Sequence, residues 1–176
     1  MIPRVGMGFD LHPLSGDPDR PLVLGGVRID GPGLEGHSDA DVVAHAVADA
    51  LLGAAGLGDL GTLFPASDPS LRDADSMALL GSVVARVRAG YDIGNVDASV
   101  VLDAPRLAPH RAAMEQRLTE VVGAPVTVKP KRAEGLGALG RREGVACFAV
   151  AMVALRRADP GAPGPSAEGV GSGSPS

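Results

Sequence analysis

The segment HSDADVVAHAVADALLGAAGLGD, residues 37–59, decides how the chain folds. Val43, Ala46, Val47, Ala50, Leu51 and Ala54 recur at helical spacing, while Asp41, His45 and Asp49 fall on nearly the opposite face. Ser38, followed three positions later by Asp41, resembles a capping arrangement at the start. The spacing predicts an amphipathic helix whose polar stripe begins near its N-terminus and carries an imidazole.

Working outward, RVGMGFDLH at residues 4–12 predicts a strand, and PLVLGGVRID at 21–30 predicts extended segments split by Gly25 and Gly26. Downstream, the loop FPASDPSLRDADS leads to a helix with Leu80, Val83, Val84 and Val87 inward and Gly90 as its stop. A strand at NVDASVVLD, a helix from Leu107 to about Val122 ended by Gly123, and a strand at PVTVK follow. VACFAVAMVAL, residues 145–155, reads as a buried strand, although periodicity alone leaves a helix open. After Arg157, ADPGAPGPSAEGVGSGSPS has almost nothing to bury. The expectation is one α/β or α+β domain over residues 1–157 and a disordered Pro-, Gly- and Ser-rich tail over 158–176.

A chain of 176 residues is long enough to bury a core, and with 45% hydrophobic but only 2% aromatic residues that core must be built from Val, Leu, Ile and Ala. A formal charge of -5 leaves no basic footprint and argues against nucleic acid as a partner. The single cysteine, Cys147, excludes an intrachain disulfide and fits a reducing compartment. Arg4 and Asp10 interrupt the N-terminus, so no signal peptide is read there. No apolar run reaches the roughly 20 residues a membrane helix needs. A soluble, cytoplasmic protein without a membrane partner is expected.

Residues two apart in a strand point to the same side, so Asp10 and His12 can reach one ion. His45 on the following helix supplies a third ligand, and two imidazoles with one carboxylate would leave a tetrahedral zinc an open position for substrate. The same spacing also fits Asp10 as a turn cap and His45 as a hydrogen-bonded helix residue.

RVGMGFDLH, GGVRI, HSDADVVAHAVADALLGAAGLGDLGTLFP, GNVD, AP followed by Arg106, and LGALGRREGVAC, taken together and in order, resemble the 2-C-methyl-D-erythritol 2,4-cyclodiphosphate synthase family from about Arg4 to Leu155. The resemblance implies a homotrimer of two-layer α+β sandwich subunits, each with a mixed sheet packed by helices on one side, and active sites at the subunit boundaries. It implies that the 2-phosphate of 4-diphosphocytidyl-2-C-methyl-D-erythritol 2-phosphate attacks the β-phosphate, closing a cyclic diphosphate and expelling CMP. Zinc would fall to Asp10, His12 and His45, and a second divalent ion, magnesium or manganese, to Glu134 and the diphosphate. His37 and Ser38 match a loop over the phosphates, while Asp59, Gly61 and Phe64 match the segment that binds methylerythritol. Ala104, Pro105, Arg106, Leu107 and Ala108 match a cytidine loop contributed by a neighbouring subunit. Arg141 matches a substrate contact that pairs with Glu143 near the trimer axis.

The chain departs from the family's pattern before Glu134, where Lys131, Arg132 and Ala133 stand in place of threonines. Lys131 and Arg132 become candidate catalytic residues gripping phosphate as charge-assisted donors, with a solvated basic loop as the other reading. Pro130, Ala66, Leu139 and Arg142 also depart. GLGALG, residues 135–140, fits the dinucleotide pattern formally but lacks the following helix and the acidic ribose partner. The functional alternatives are a paralogue acting on another nucleotide diphosphate, a zinc phosphohydrolase, and a catalytically silent zinc-bound trimer that binds a nucleotide or partner.

Overall fold

The computed structural model describes residues 2–36, 38–65, 67–69 and 74–156. The predicted tail and His37 lie outside these.

Four strands make a mixed sheet: β1 (Arg4–Pro13), β4 (Tyr91–Val101), β5 (Val126–Lys131) and β6 (Gly144–Leu155), in the order β1-β6-β4-β5. The β1–β6 and β6–β4 pairs are antiparallel and β4–β5 is parallel. The parallel pair follows from the helix between its strands, since a parallel return needs a crossover. A separate hairpin, β2 (Pro21–Leu24) and β3 (Val27–Pro32), turns on Gly25 and Gly26, whose φ values of 58° and 71° suit glycine. The final apolar run is a strand inside the sheet between β1 and β4, but it is buried on one face only, with Phe148, Val150 and Met152 exposed on the other.

Helices α1 (Val42–Ala55), α3 (Ser76–Arg88) and α4 (Arg111–Val122) cover one face of the sheet. Two single turns, α2 (Leu60–Leu63) and α5 (Gly137–Gly140), are too short to leave a periodic trace in the sequence. A 3-10 turn at Ala108–His110 occupies the start of the helix expected from Leu107. The core between the layers is aliphatic, with Leu51, Leu52, Leu80, Val83, Leu118 and Val128 among its fully buried members.

The cap of α1 corrects the sequence reading. Asp41, not Ser38, is the N-cap, accepting from the amides of Val43 at 3.0 Å and Ala44 at 3.1 Å. Its two oxygens also accept from Gly25 N at 2.8 Å and Gly26 N at 2.7 Å, so the carboxylate pins the hairpin turn to the helix. Asp41 is fully buried, because four backbone donors replace its water. Burial pushes its carboxyl pKa up and the amide hydrogen bonds oppose this.

The layers meet most closely where β1 crosses α1. A Cβ on Gly8 would lie 1.9 Å from the Ala46 carbonyl oxygen, and one on Gly6 would lie 2.2 Å from that of Ala50. Two side-chain-free positions on β1 thus let the strand carrying Asp10 and His12 rest directly on the helix carrying His45.

Candidate metal centre

Asp10 and His12 leave the C-terminal half of β1 on one side, as the strand period requires, and His45 projects from the first turn of α1. His12 Nε2 lies 3.2 Å from Asp10 Oδ2, and His45 Nδ1 lies 2.9 Å from the same oxygen. One donor atom from each residue falls within 4.8 Å of the others, and among the described residues this is the group so arranged. Two imidazole nitrogens and a carboxylate oxygen form a donor set that divalent transition metals take, so the residues fit an ion.

The electrostatics prepare the cluster for a cation. Burial favours the neutral form of Asp10, but hydrogen bonds and charges from His12 and His45 outweigh it and hold the carboxyl well below its usual range. The hydrogen bond to Asp10 raises the His12 pKa against the opposing effect of burial, helped by the carboxylate charge and the Glu35 carbonyl. That carbonyl lies 2.5 Å from His12 Nδ1, and a carbonyl only accepts, so Nδ1 carries the proton and Nε2 is the nitrogen that could ligate an ion.

The loop before α1 is fastened by the Arg20 guanidinium, which donates to the carbonyls of Leu34, of Gly36 at 3.0 Å and of Ser38 at 2.5 Å. Ser38 accepts from Ala40 N at 3.1 Å and lies 3.3 Å from His45 Nε2. A cavity of about 350 Å³ opens over the cluster, with Ser38, Gly61 and Phe64 in its wall. Asp59 is exposed and caps α2 by accepting from Thr62 N at 2.7 Å. Asp49 accepts from Leu60 N at 2.7 Å and ties α2 to α1.

A second cavity, of about 360 Å³, lies at the ends of β4 and β5 and shares no lining residue with the first. Pro105, Arg106, Leu107, Ala108, Lys131 and Arg132 line it. Ala104 joins Pro105 through a cis peptide bond beside it. Arg132 Nε stands 3.9 Å from Asp103 Oδ1, and no carboxylate among the described residues pairs with Lys131. Glu134 follows in a left-handed conformation, φ 53°, held by the surrounding turn. Arg141 and Glu143 form an exposed ion pair of 2.6 Å.

Ser76, hydrogen-bonded to His45, and Asp39, hydrogen-bonded in turn to Ser76, were not picked out from the sequence. Ser76 read as the end of a loop, and no periodicity connects position 76 with His45.

A wall of two imidazoles and one carboxylate, open to a cavity where a strand crosses a helix, fits a metal-dependent enzyme. A family model described as the YgbB family matches residues 3–154. The chain is 52% identical over 155 residues to 2-C-methyl-D-erythritol 2,4-cyclodiphosphate synthase of Acidothermus cellulolyticus, covering 87% of this chain and 95% of that protein. To the synthase of Bordetella petrii it is 53% identical over 156 residues, covering 86% and 95%. The solved structure of IspF from Plasmodium falciparum, a CDP complex, superposes with a TM-score of 0.76 at 32% identity, covering 88% of this chain and 97% of that one. The chain belongs to the 2-C-methyl-D-erythritol 2,4-cyclodiphosphate synthase family.

Proposed function

We propose that the chain catalyses the cyclisation for which its relatives are named. The 2-phosphate oxygen of 4-diphosphocytidyl-2-C-methyl-D-erythritol 2-phosphate attacks the β-phosphorus. The bond from that phosphorus to the bridging oxygen breaks, and CMP leaves with the bridging oxygen. The convergence of Asp10, His12 and His45 in the wall of an open cavity carries this reading. These three would hold zinc, and the bound ion would supply Lewis acidity toward the phosphate under attack.

The protein's own work is positioning and charge. Intramolecular phosphoryl transfer needs the nucleophile and leaving group held in line and the phosphate charge neutralised, with no side-chain nucleophile. Ser38, Gly61 and Phe64 wall the space for the methylerythritol end, and the family resemblance adds Asp59 to that segment and His37 to a loop over the phosphates. Arg106, Lys131 and Arg132 line the other cavity, which suits a cytidine nucleotide, the ligand class named for the Plasmodium falciparum structure. Lys131 and Arg132 offer charge-assisted donors to phosphate, Glu134 would hold a second divalent ion, magnesium or manganese, and Arg141 is a further candidate contact to substrate.

Two cavities without a common residue make half-sites on separate regions of one chain, which supports a homotrimer whose active sites lie between subunits. An exposed apolar strip on the helix-free face of the sheet gives such an assembly something to bury.

The test is incubation with the cytidyl substrate, zinc and magnesium, reading CMP release and the product's phosphorus spectrum. One CMP for each cyclic diphosphate is expected. A linear product would overturn cyclisation in favour of hydrolysis, and no CMP from metal-loaded protein would overturn the assignment.

A further inference from the structure

We propose that Ser76, backed by Asp39, is a positioning residue of the metal centre that fixes the tautomer of His45 so that Nδ1 is its ligating atom. The proposal rests on the metal reading above.

Ser76 is the first residue of α3, buried, and its Oγ lies 2.8 Å from His45 Nε2. Its hydroxyl also donates to Asp39 Oδ1 in a short hydrogen bond, and its amide donates to Asp39 Oδ2 at 3.2 Å. A carboxylate only accepts, so the one hydroxyl proton of Ser76 is committed to Asp39. What remains for His45 is a lone pair on Oγ, and Nε2 must therefore carry the proton. With the metal-bound ring neutral, Nδ1 is left with the free electron pair, and it is Nδ1 that lies 2.9 Å from Asp10 Oδ2 beside His12.

The helix does not need this hydroxyl for its own end. Asp75 already caps α3 by accepting from Met77 N at 2.8 Å. Asp39 is placed for the task by its amide, which donates to the Ala74 carbonyl at 3.2 Å and joins the loop before α1 to the start of α3. Ser38 Oγ, 3.3 Å from Nε2, is the more distant acceptor. The buried polar residues of the described chain are Ser38, Asp41 and Ser76, and two of these three touch the back of the His45 ring. His12 is oriented by a backbone carbonyl, whereas His45 depends on side chains from two other segments. Partners of this kind typically change metal affinity by about 10–100-fold when removed.

The experiment measures zinc affinity by competition with a chromogenic chelator for the unaltered chain and Ser76→Ala, and assigns the ligating nitrogen of His45 by imidazole nitrogen NMR of the zinc-loaded, unaltered chain. Ligation through Nδ1 and a dissociation constant raised about 10–100-fold in Ser76→Ala are expected. Ligation through Nε2, or unchanged affinity in the folded variant, overturns the proposal while leaving the metal centre standing. Failure of the unaltered chain to bind zinc overturns the metal reading itself. Should Ser76→Ala not fold, the nitrogen assignment alone decides.

Discussion

His12 stands between a carboxylate and a carbonyl, and this sets opposite pH responses for the metal-free fold and for metal binding. Asp10 raises the His12 pKa above its ordinary 6.5, so the charged pair stabilises the metal-free fold fully below that value. That contribution disappears as the pH rises through the raised value. Asp10 behaves in the mirror sense: its share is present above the ordinary 3.8 and is lost as the pH falls through its lowered value. Ligation requires Nε2 to give up its proton, so zinc affinity must rise where the pair's stabilisation fades. Zinc titrations across about pH 6 to 8 should show affinity climbing by up to about tenfold per pH unit before levelling, while the metal-free thermal midpoint declines. Affinity flat across that range would remove His12 from the ligand set. The triad is the part of the site that the sequence exposes, because strand period and helix period each impose a direction on a side chain. Ser76 and Asp39 stay hidden, since their alignment with His45 depends on how α3 docks against α1, and no local spacing encodes that.

Between elements, the decisive contact is β1 against α1. Gly8→Ala would drive a methyl into the Ala46 carbonyl, which is backbone and cannot rotate aside. The strand must lift from the helix, at a cost of about 3 kcal/mol, the upper end of the range for overpacking. Because Asp10 lies two residues beyond, the same shift separates it from His45. Thermal or urea unfolding should register the destabilisation, and zinc affinity measured on the folded fraction should fall as well. A variant of unaltered stability and affinity would show that the two layers can part without consequence. Elements of ten or so residues were legible because their apolar period persists over several turns or pleats. Boundaries were less so: β4 begins at Tyr91, four residues before the expected NVDASVVLD segment, since pairing with β6 extends it past the apolar stretch. The capping error at α1 has a related cause, for Ser38 and Asp41 are both good caps and only the Gly25–Gly26 turn, distant in sequence, draws Asp41 inward.

At the scale of the molecule, the sheet carries its helices on one face and leaves apolar side chains on the other. Val5, Met7 and Phe9 of β1 stand opposite Met152, Val150 and Phe148 of β6, and the two phenylalanine rings pack with centroids 4.8 Å apart. Met7 is 69% exposed and Phe148 47%. The strip ends at β4, where Asp97 and Ser99 occupy the positions facing Val150 and Phe148. On the proposed reading, this two-strand apolar band with a polar border is the surface that further copies of the chain would cover. The triad belongs wholly to one chain, whereas a complete substrate site on the proposed reading needs the second cavity of a neighbour. Assembly and metal binding should therefore come apart in the double variant Met7→Glu with Val150→Glu, which sets two carboxylates opposite each other on the strip. Light scattering should give three times the 17.7 kDa chain mass for the unaltered protein and the single-chain mass for the variant. The variant should bind zinc as before, since the strip faces away from His45, yet release no CMP, since no neighbour brings Lys131 and Arg132 to the metal. A single-chain variant that turns over normally would place the whole active site within one subunit, and a variant that stays assembled would mean that the strip is not the surface through which copies meet.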